Sequence, residues 1–432
     1  MIGHYGSPTP FWDQWDAEGA ILFPKYFNGT LQFSDLISAH NEHRILVTRL
    51  WSLLLLELAG YWDVILQMVA NTLIVGAVVA LVITAFQPIL DRALWMAFAL
   101  FAMVAFSSPL AWENTLEGFN SGWYFMLLFS IGGLVAISDA FAFTTRWWAG
   151  LAMLILSYFC LASGALTVAS AFPICVVQFS IRRRSGLREL LALAILAMAT
   201  AATLRYIPLS RETALKAHSI GEFFRALLGI MSWPATPGPV PAIVKLLGAT
   251  LINTPVLLAS VWIIRLRPPF PDRRWFLISL AGWSALQVAA IAYGRAAYPV
   301  SSRYLDLLTV TLLLNVACLL YLLSALSESW LSRRVAFGVG TLWLLVILPG
   351  AFAYIQVRSI PDVVNKGALG RIETENLRAY LNTGDIRVLE NKPRFDIPYP
   401  LAPRLAQIVS SPITRALLSP ELVFEVGRTL TF

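Results

Sequence analysis

The stretch DVILQMVANTLIVGAVVALVITAF, residues 63–86, decides the fold. Past Asp63 it carries no charge, and it exceeds the roughly 20 apolar residues that an α-helix needs to cross a bilayer. Runs of the same kind recur near 93–110, 121–139, 148–163, 165–180, 189–207, 240–264, 275–293, 304–326 and 336–355. The cut around Ser163-Gly164 is the least defined, because 148–180 divides in more than one way. Composition agrees: hydrophobic residues make up 58% of the chain and charged ones 13%, against about 25% charged in a soluble domain. We therefore expect an all-α polytopic integral membrane protein with about ten transmembrane helices plus interfacial helices.

Around these spans the chain divides into a large first outer loop at 1–62, a transmembrane domain at 63–355 with an outer loop at 208–239, and a small C-terminal extracytoplasmic segment at 356–432. Ile45–Leu58 is apolar but short, carries Arg49 and Glu57, and suits an interfacial or re-entrant helix. In the loop at 208–239, Glu222–Met231 is amphipathic and WPATPGPVP (233–241) is turn-rich, so a helix lying on the outer surface is expected there. The net charge of +7 does not point to nucleic acid, since most Lys and Arg lie in short loops between spans. The loops at Arg92, Arg146, RRRSGLR (182–188), RLRPPFPDRR (265–274) and Arg333-Arg334 share one face, and the positive-inside rule makes that face cytoplasmic. Cys160, Cys175 and Cys318 fall inside spans and offer neither a disulfide framework nor metal spacing. No charged n-region and apolar h-region follow Met1, so no signal peptide is expected.

Polar chemistry concentrates in the first loop. FWDQWD (11–16) sets Asp13 and Asp16 three apart, so in a helix or turn they would face one cavity. Partial desolvation between tryptophans would raise their pKa and strengthen them as bases, although solvated loop acids flanked by interfacial aromatics have the same pattern. HNEHR (40–44) supplies His40, Glu42, His43 and Arg44. It lacks the H-E-x-x-H spacing and a third ligand, so we expect no resident cofactor and leave a divalent metal unsupported. Phosphate or acceptor contact fits these residues better, with a polar helix N-terminus as the plain alternative. On the same face, PLAWENTLEGFNSGWYF (109–125) presents Glu113 and Asn114. YGRAAYPVSSRYLD (293–306) presents Arg295, Arg303 and Tyr304. Arginines on the non-cytoplasmic side need a reason to be there; an anionic phosphate is one, and snorkelling to lipid phosphate is another. The chain has no Gly-rich phosphate loop, Walker motif or Rossmann fingerprint.

FWDQWD, a short surface helix, the WEN…GF loop and the Arg295–Tyr304 region together resemble the GT-C class of polytopic membrane glycosyltransferases, which use polyprenyl-phosphate sugars. The resemblance covers most of residues 10–355 through short motifs. It implies an inverting transfer from a polyprenyl-phosphate-linked sugar donor to a glycan or lipid acceptor, with Asp13 as the base and Asp16 as supporting acid or alternative base. Arg295 or Arg303 would clamp the phosphate, and Arg44 and His43 would line the site. The setting implied is a bacterial-type cytoplasmic (inner) membrane, with the active site on the extracytoplasmic side and a role in cell-envelope glycan biosynthesis. Members of the class carry a transmembrane helix before the first outer loop, whereas this sequence begins inside that loop. Two other readings stand beside this one. A transporter or flippase of lipid-linked glycans would need charges deep in its spans, where this chain has Gln67, Asn71, Gln287 and Asn315. A non-catalytic membrane assembly protein would need only the architecture.

Overall fold

The computed structural model describes residues 1–208, 213–236, 238–325 and 330–423, with backbone alone at 330–333 and 335–336. Residues 209–212 and Pro237 of the expected outer loop, and the side chain of Arg333, lie outside that description. About three quarters of the structure is helical, and strands are nearly absent among the described residues. Among the described residues, nine helices are long and apolar enough to cross a membrane. The tenth expected span, at 148–163, forms a shorter helix of 14 residues, Thr145–Tyr158, about 21 Å long at 1.5 Å per residue. Ala162–Gly164 then makes a 3-10 turn, and Ala165–Ser180 leads away from it. This turn requires its glycine, since a Cβ on Gly164 would sit 1.9 Å from the Ser157 carbonyl oxygen.

Four elements position the site. Helix α1, Leu46–Ala59, has 14 residues, too few for a bilayer core of about 30 Å. Helix α2, Val64–Phe86, is the opening stretch of the sequence, capped by Asp63 through the Leu66 N–H. Helix α3, Ile220–Met231, is the amphipathic segment of the outer loop, capped by Ser219. Helix α4, Ala242–Leu266, follows it. Farther on, Trp330–Tyr354, the π-helical turns Ile355–Ser359 and Ile360–Thr383 run on without a break, so the expected boundary at 355 falls inside one helical rod.

The basic loops at Arg146, 182–188 and 265–274 meet at one end of the bundle. Asp139 pairs with Arg146 at 2.6 Å and Arg273 at 3.4 Å. Buried Arg184 donates to the carbonyls of Ile137 and Ala140 and pairs with Glu189 at 3.0 Å. The polar groups inside the helices tie segments together: Asn71 donates to the Gly118 carbonyl, and Gln287 to that of Ser163.

Two hydrophobic cores result. The larger joins the membrane helices. The smaller combines the first loop with the C-terminal segment: Trp15, Phe23 and Trp62 pack with Leu377, Leu405, Ile408 and Leu418, and the Trp62 N–H donates to the Leu417 carbonyl at 2.7 Å. Residues 1–62 and 356–423 therefore build one body from the two ends of the chain.

At the junction of that body with the bundle lies Glu18, 1% exposed. Its carboxylate accepts from Ser52, Trp62, Gln14 and Gln67. Burial pushes its pKa up, against the pull of these four donors. Removing the carboxylate strands buried donors, each costing about 1–3 kcal/mol. Glu18→Ala should therefore lower stability by about 3 kcal/mol, read as a clear drop in the thermal midpoint of detergent-purified protein. An unchanged midpoint would mean that this hub does not hold the two bodies together.

Candidate active site

HNEHR folds as a two-strand hairpin rather than a helix start: β1, Ala39–His40, pairs antiparallel with β2, His43–Arg44, and His40 stands opposite His43. Asn41 takes a left-handed φ of 51° at the turn, a conformation that asparagine tolerates better than most residues. The hairpin directs its side chains at separate partners. His43 Nδ1 accepts the Ala162 N–H at 3.2 Å, which leaves the proton on Nε2, 3.9 Å from Glu42. Burial, with the charge of Arg295 acting the same way, pushes the His43 pKa down to about 4 although Glu42 opposes the shift. His40 Nε2 lies 3.7 Å from Asp13. Arg44 braces the hairpin, donating to the Tyr158 hydroxyl at 3.0 Å and the Ile37 carbonyl at 2.9 Å.

The arginines expected to be free for phosphate each hold a carboxylate. Arg295 pairs with Glu42 and donates to the Tyr304 hydroxyl at 3.0 Å. Arg303 pairs with Glu113 and reaches Glu117 at 3.4 Å. Glu113 also accepts from Ser302 at 2.6 Å, and Asn114 donates to the Arg303 carbonyl and, at 2.8 Å, to Asp306. Two carboxylates thus share the Arg303 guanidinium. Burial, reinforced by Glu113, raises the Glu117 pKa against the pull of Arg303. Burial would also raise Glu42, but His43 and Arg295 outweigh it and hold that carboxyl below its usual range.

Asp13 and Asp16 lie in one helical stretch. Trp12 takes a left-handed φ of 46°, and beyond it the two acids find different partners. Asp16 is held by Tyr399 and by both Nε and Nη2 of Arg404, at 3.0 and 2.8 Å. Asp13 keeps a side chain 50% exposed. The expected upward pKa shift is reversed there. Burial does raise it, but the neighbouring His40, with the positive field of Arg303, brings it below the ordinary 3.8. Asp13 is thus an ionised, accessible carboxylate within the field of Arg303, and its proton affinity is less than the tryptophan setting had implied.

Beside this cluster opens a cavity of about 1030 Å³, which shares Glu113 and Ser302 with it. Its walls come from α3, from the start of α4, from residues 296–302 and from Tyr354–Asp362. Lys216, Arg225, Lys245 and Arg358 line it. The sequence reading singled out none of these four, although Arg225 lies in the amphipathic segment it had marked. The C-terminal contributions, Tyr399 and Arg404, carried no sequence signal, because only folding brings them to the first loop. Among the described residues no group of three or more His, Cys, Asp or Glu is placed to hold a metal ion. Comparison of the chain with family models, curated proteins and solved structures finds no match.

His43 supplies a test of this arrangement. Its folded pKa lies below the free value of 6.5, so the unfolded chain takes up the proton first on acidification. The stability linked to neutral His43 is present above about pH 6.5 and lost as pH falls toward 4. Thermal midpoints should decline across that window, and more shallowly in His43→Asn; identical slopes would remove His43 as the buried neutral member of the hairpin.

Proposed function

We propose that this chain is an integral membrane glycosyltransferase that moves a sugar from a polyprenyl-phosphate donor to an extracytoplasmic glycan or lipid acceptor. The observation that carries this reading is Asp13, an ionised and half-exposed carboxylate within the field of Arg303. It stands in a cluster that also holds His40, Glu113, Glu42, Arg295 and Tyr304. Glycosyl transfer to a hydroxyl needs a proton acceptor and positive charge beside a departing phosphate, and this cluster offers both. The basic loops gathered at the other end, around Asp139 and Arg184, favour an orientation with the cluster outside the cytoplasm. A bacterial-type inner membrane fits that orientation.

In the proposed reaction the acceptor hydroxyl oxygen attacks the anomeric carbon from the face opposite the phosphate. The new glycosidic C–O bond forms while the anomeric carbon–oxygen bond to phosphate breaks. Asp13 takes the hydroxyl proton, and the lipid phosphate leaves with the electron pair. Configuration inverts. The transporter reading gains nothing from the helix interiors, where Gln67, Asn71, Gln287 and Asn315 are engaged in ties between segments.

With purified enzyme and a polyprenyl-phosphate sugar, Asp13→Asn should slow transfer by about 10²–10⁴-fold. Asp16→Asn should act mainly on stability, because Asp16 is bound to Arg404. Undiminished transfer by the Asp13 variant would remove the proposed base. The depressed Asp13 pKa adds a pH signature: a base must be ionised, so transfer should show no loss attributable to this group between pH 8 and about 5. An acid limb near pH 6 that disappears in Asp13→Asn would contradict the electrostatics described above.

A further inference from the structure

The cavity beside Glu113 has a charge pattern that the transfer chemistry does not use. On α3, Glu222, Arg225, Ala226 and Gly229 line it, which is i, i+3, i+4, i+7 spacing and hence one helical face. The opposite wall supplies Lys245 from α4 and Arg358 from the long C-terminal rod. The carboxylates in the lining are mostly engaged: Glu113 with Arg303 and Ser302, and Glu222 with the His218 backbone N–H at 2.7 Å. Asp362 lies close enough to Arg358 for their charges to interact. Arg225 and Lys245, by contrast, make no side-chain hydrogen bond or ion pair among the described residues. Two cations at a large concave site, without carboxylate partners, are suited to an anion.

The outer surface of the same walls is apolar and exposed. Ile220 and Phe224 of α3 are 78% and 58% exposed, and Ile243 and Leu247 beside Lys245 are 60% and 63% exposed. The cationic chamber is therefore one helix away from a surface suited to hydrocarbon. A small soluble anion would have use for the chamber alone. An amphiphile would use both, with its head among Arg225 and Lys245 and its chain against α3 and α4.

We propose that this cavity is a binding site for the phosphate head group of a membrane amphiphile, with Arg225 and Lys245 as its principal charge contacts. Its role as the seat of the donor phosphate rests on the transfer reading above; the binding itself does not. It also resolves a difficulty with Arg295 and Arg303, since a phosphate held by Arg225 and Lys245 need not displace Glu42 or Glu113.

The test is equilibrium binding to the full chain in nanodiscs, using a short-chain polyprenyl phosphate, the matching alcohol and inorganic phosphate as probes. The lipid phosphate should bind, the alcohol at least tenfold more weakly, and inorganic phosphate should compete poorly. Arg225→Gln and Lys245→Gln should each weaken lipid-phosphate binding about tenfold, with thermal midpoints near wild type because neither side chain holds the fold. Asp13→Asn should retain binding. Equal affinity for the alcohol, or wild-type affinity in the doubly substituted chain, would overturn the site. Inorganic phosphate competing as strongly as the lipid would overturn its assignment to an amphiphile. Wild-type binding without any sugar transfer would remove the enzyme reading and leave the cavity. Transfer and donor KM unchanged in the doubly substituted chain would remove the cavity as the donor's seat and leave the enzyme.

Discussion

A single buried carboxylate holds the geometry together. Glu18 takes donors from four places in the chain: Gln14 in the first loop, Ser52 on α1, Trp62 in the linker and Gln67 on α2. An isolated carboxylate in that position would be strongly disfavoured, and its four donors are what make the burial tolerable. Because it accepts from Gln67 on the first membrane helix and lies five residues from Asp13, it sets where FWDQWD stands relative to the bundle. Gly118 shows how tight this region is, since a Cβ there would come within 2.7 Å of Gln67 Oε1.

Around that anchor, charge is distributed in balanced groups. Glu42, His43 and Arg295 form one; Glu113, Glu117 and Arg303 form a second. The two arginines are neutralised at short range, yet the field of Arg303 still reaches Asp13 and adds to the larger effect of His40 in holding its pKa down. Positive charge without a carboxylate partner among the described residues lies on the cavity side of Glu113, at Arg225 and Lys245. The Arg303–Glu113 pair thus stands between a face with an accessible carboxylate and a face with available cations, a separation that suits a reaction in which a proton and an anion leave in different directions.

The membrane architecture was legible in the sequence because a bilayer imposes a length and an apolarity that a linear reading detects directly, as 63–86 demonstrates. It did not give the length of the helix at 148–163, which ends at Tyr158 before the close turn at Gly164. Asp13 and Asp16 do lie within one helical stretch, but their separate partners, His40 for one and Tyr399 with Arg404 for the other, are set by folding and not by spacing. His40 and His43, for which a polar helix N-terminus was the plain alternative, face each other across a hairpin. The grouping of Glu113, Arg295 and Arg303 was anticipated from topology, but their mutual neutralisation was not, since ion pairing depends on distances that sequence spacing does not encode.

The joining of residues 1–62 with 356–423 has a consequence for biosynthesis. Trp15, Phe23 and Trp62 emerge first from the ribosome, yet the surfaces that cover them, from Leu377 to Leu418, are made last. Asp16 waits equally long for Tyr399 and Arg404. The membrane helices can therefore insert one after another while the loop bearing Asp13 still lacks its packing partners. The carboxylate acquires its final surroundings only when the last segment of the chain has followed, so a protein interrupted before that point would carry its transmembrane bundle without a finished site.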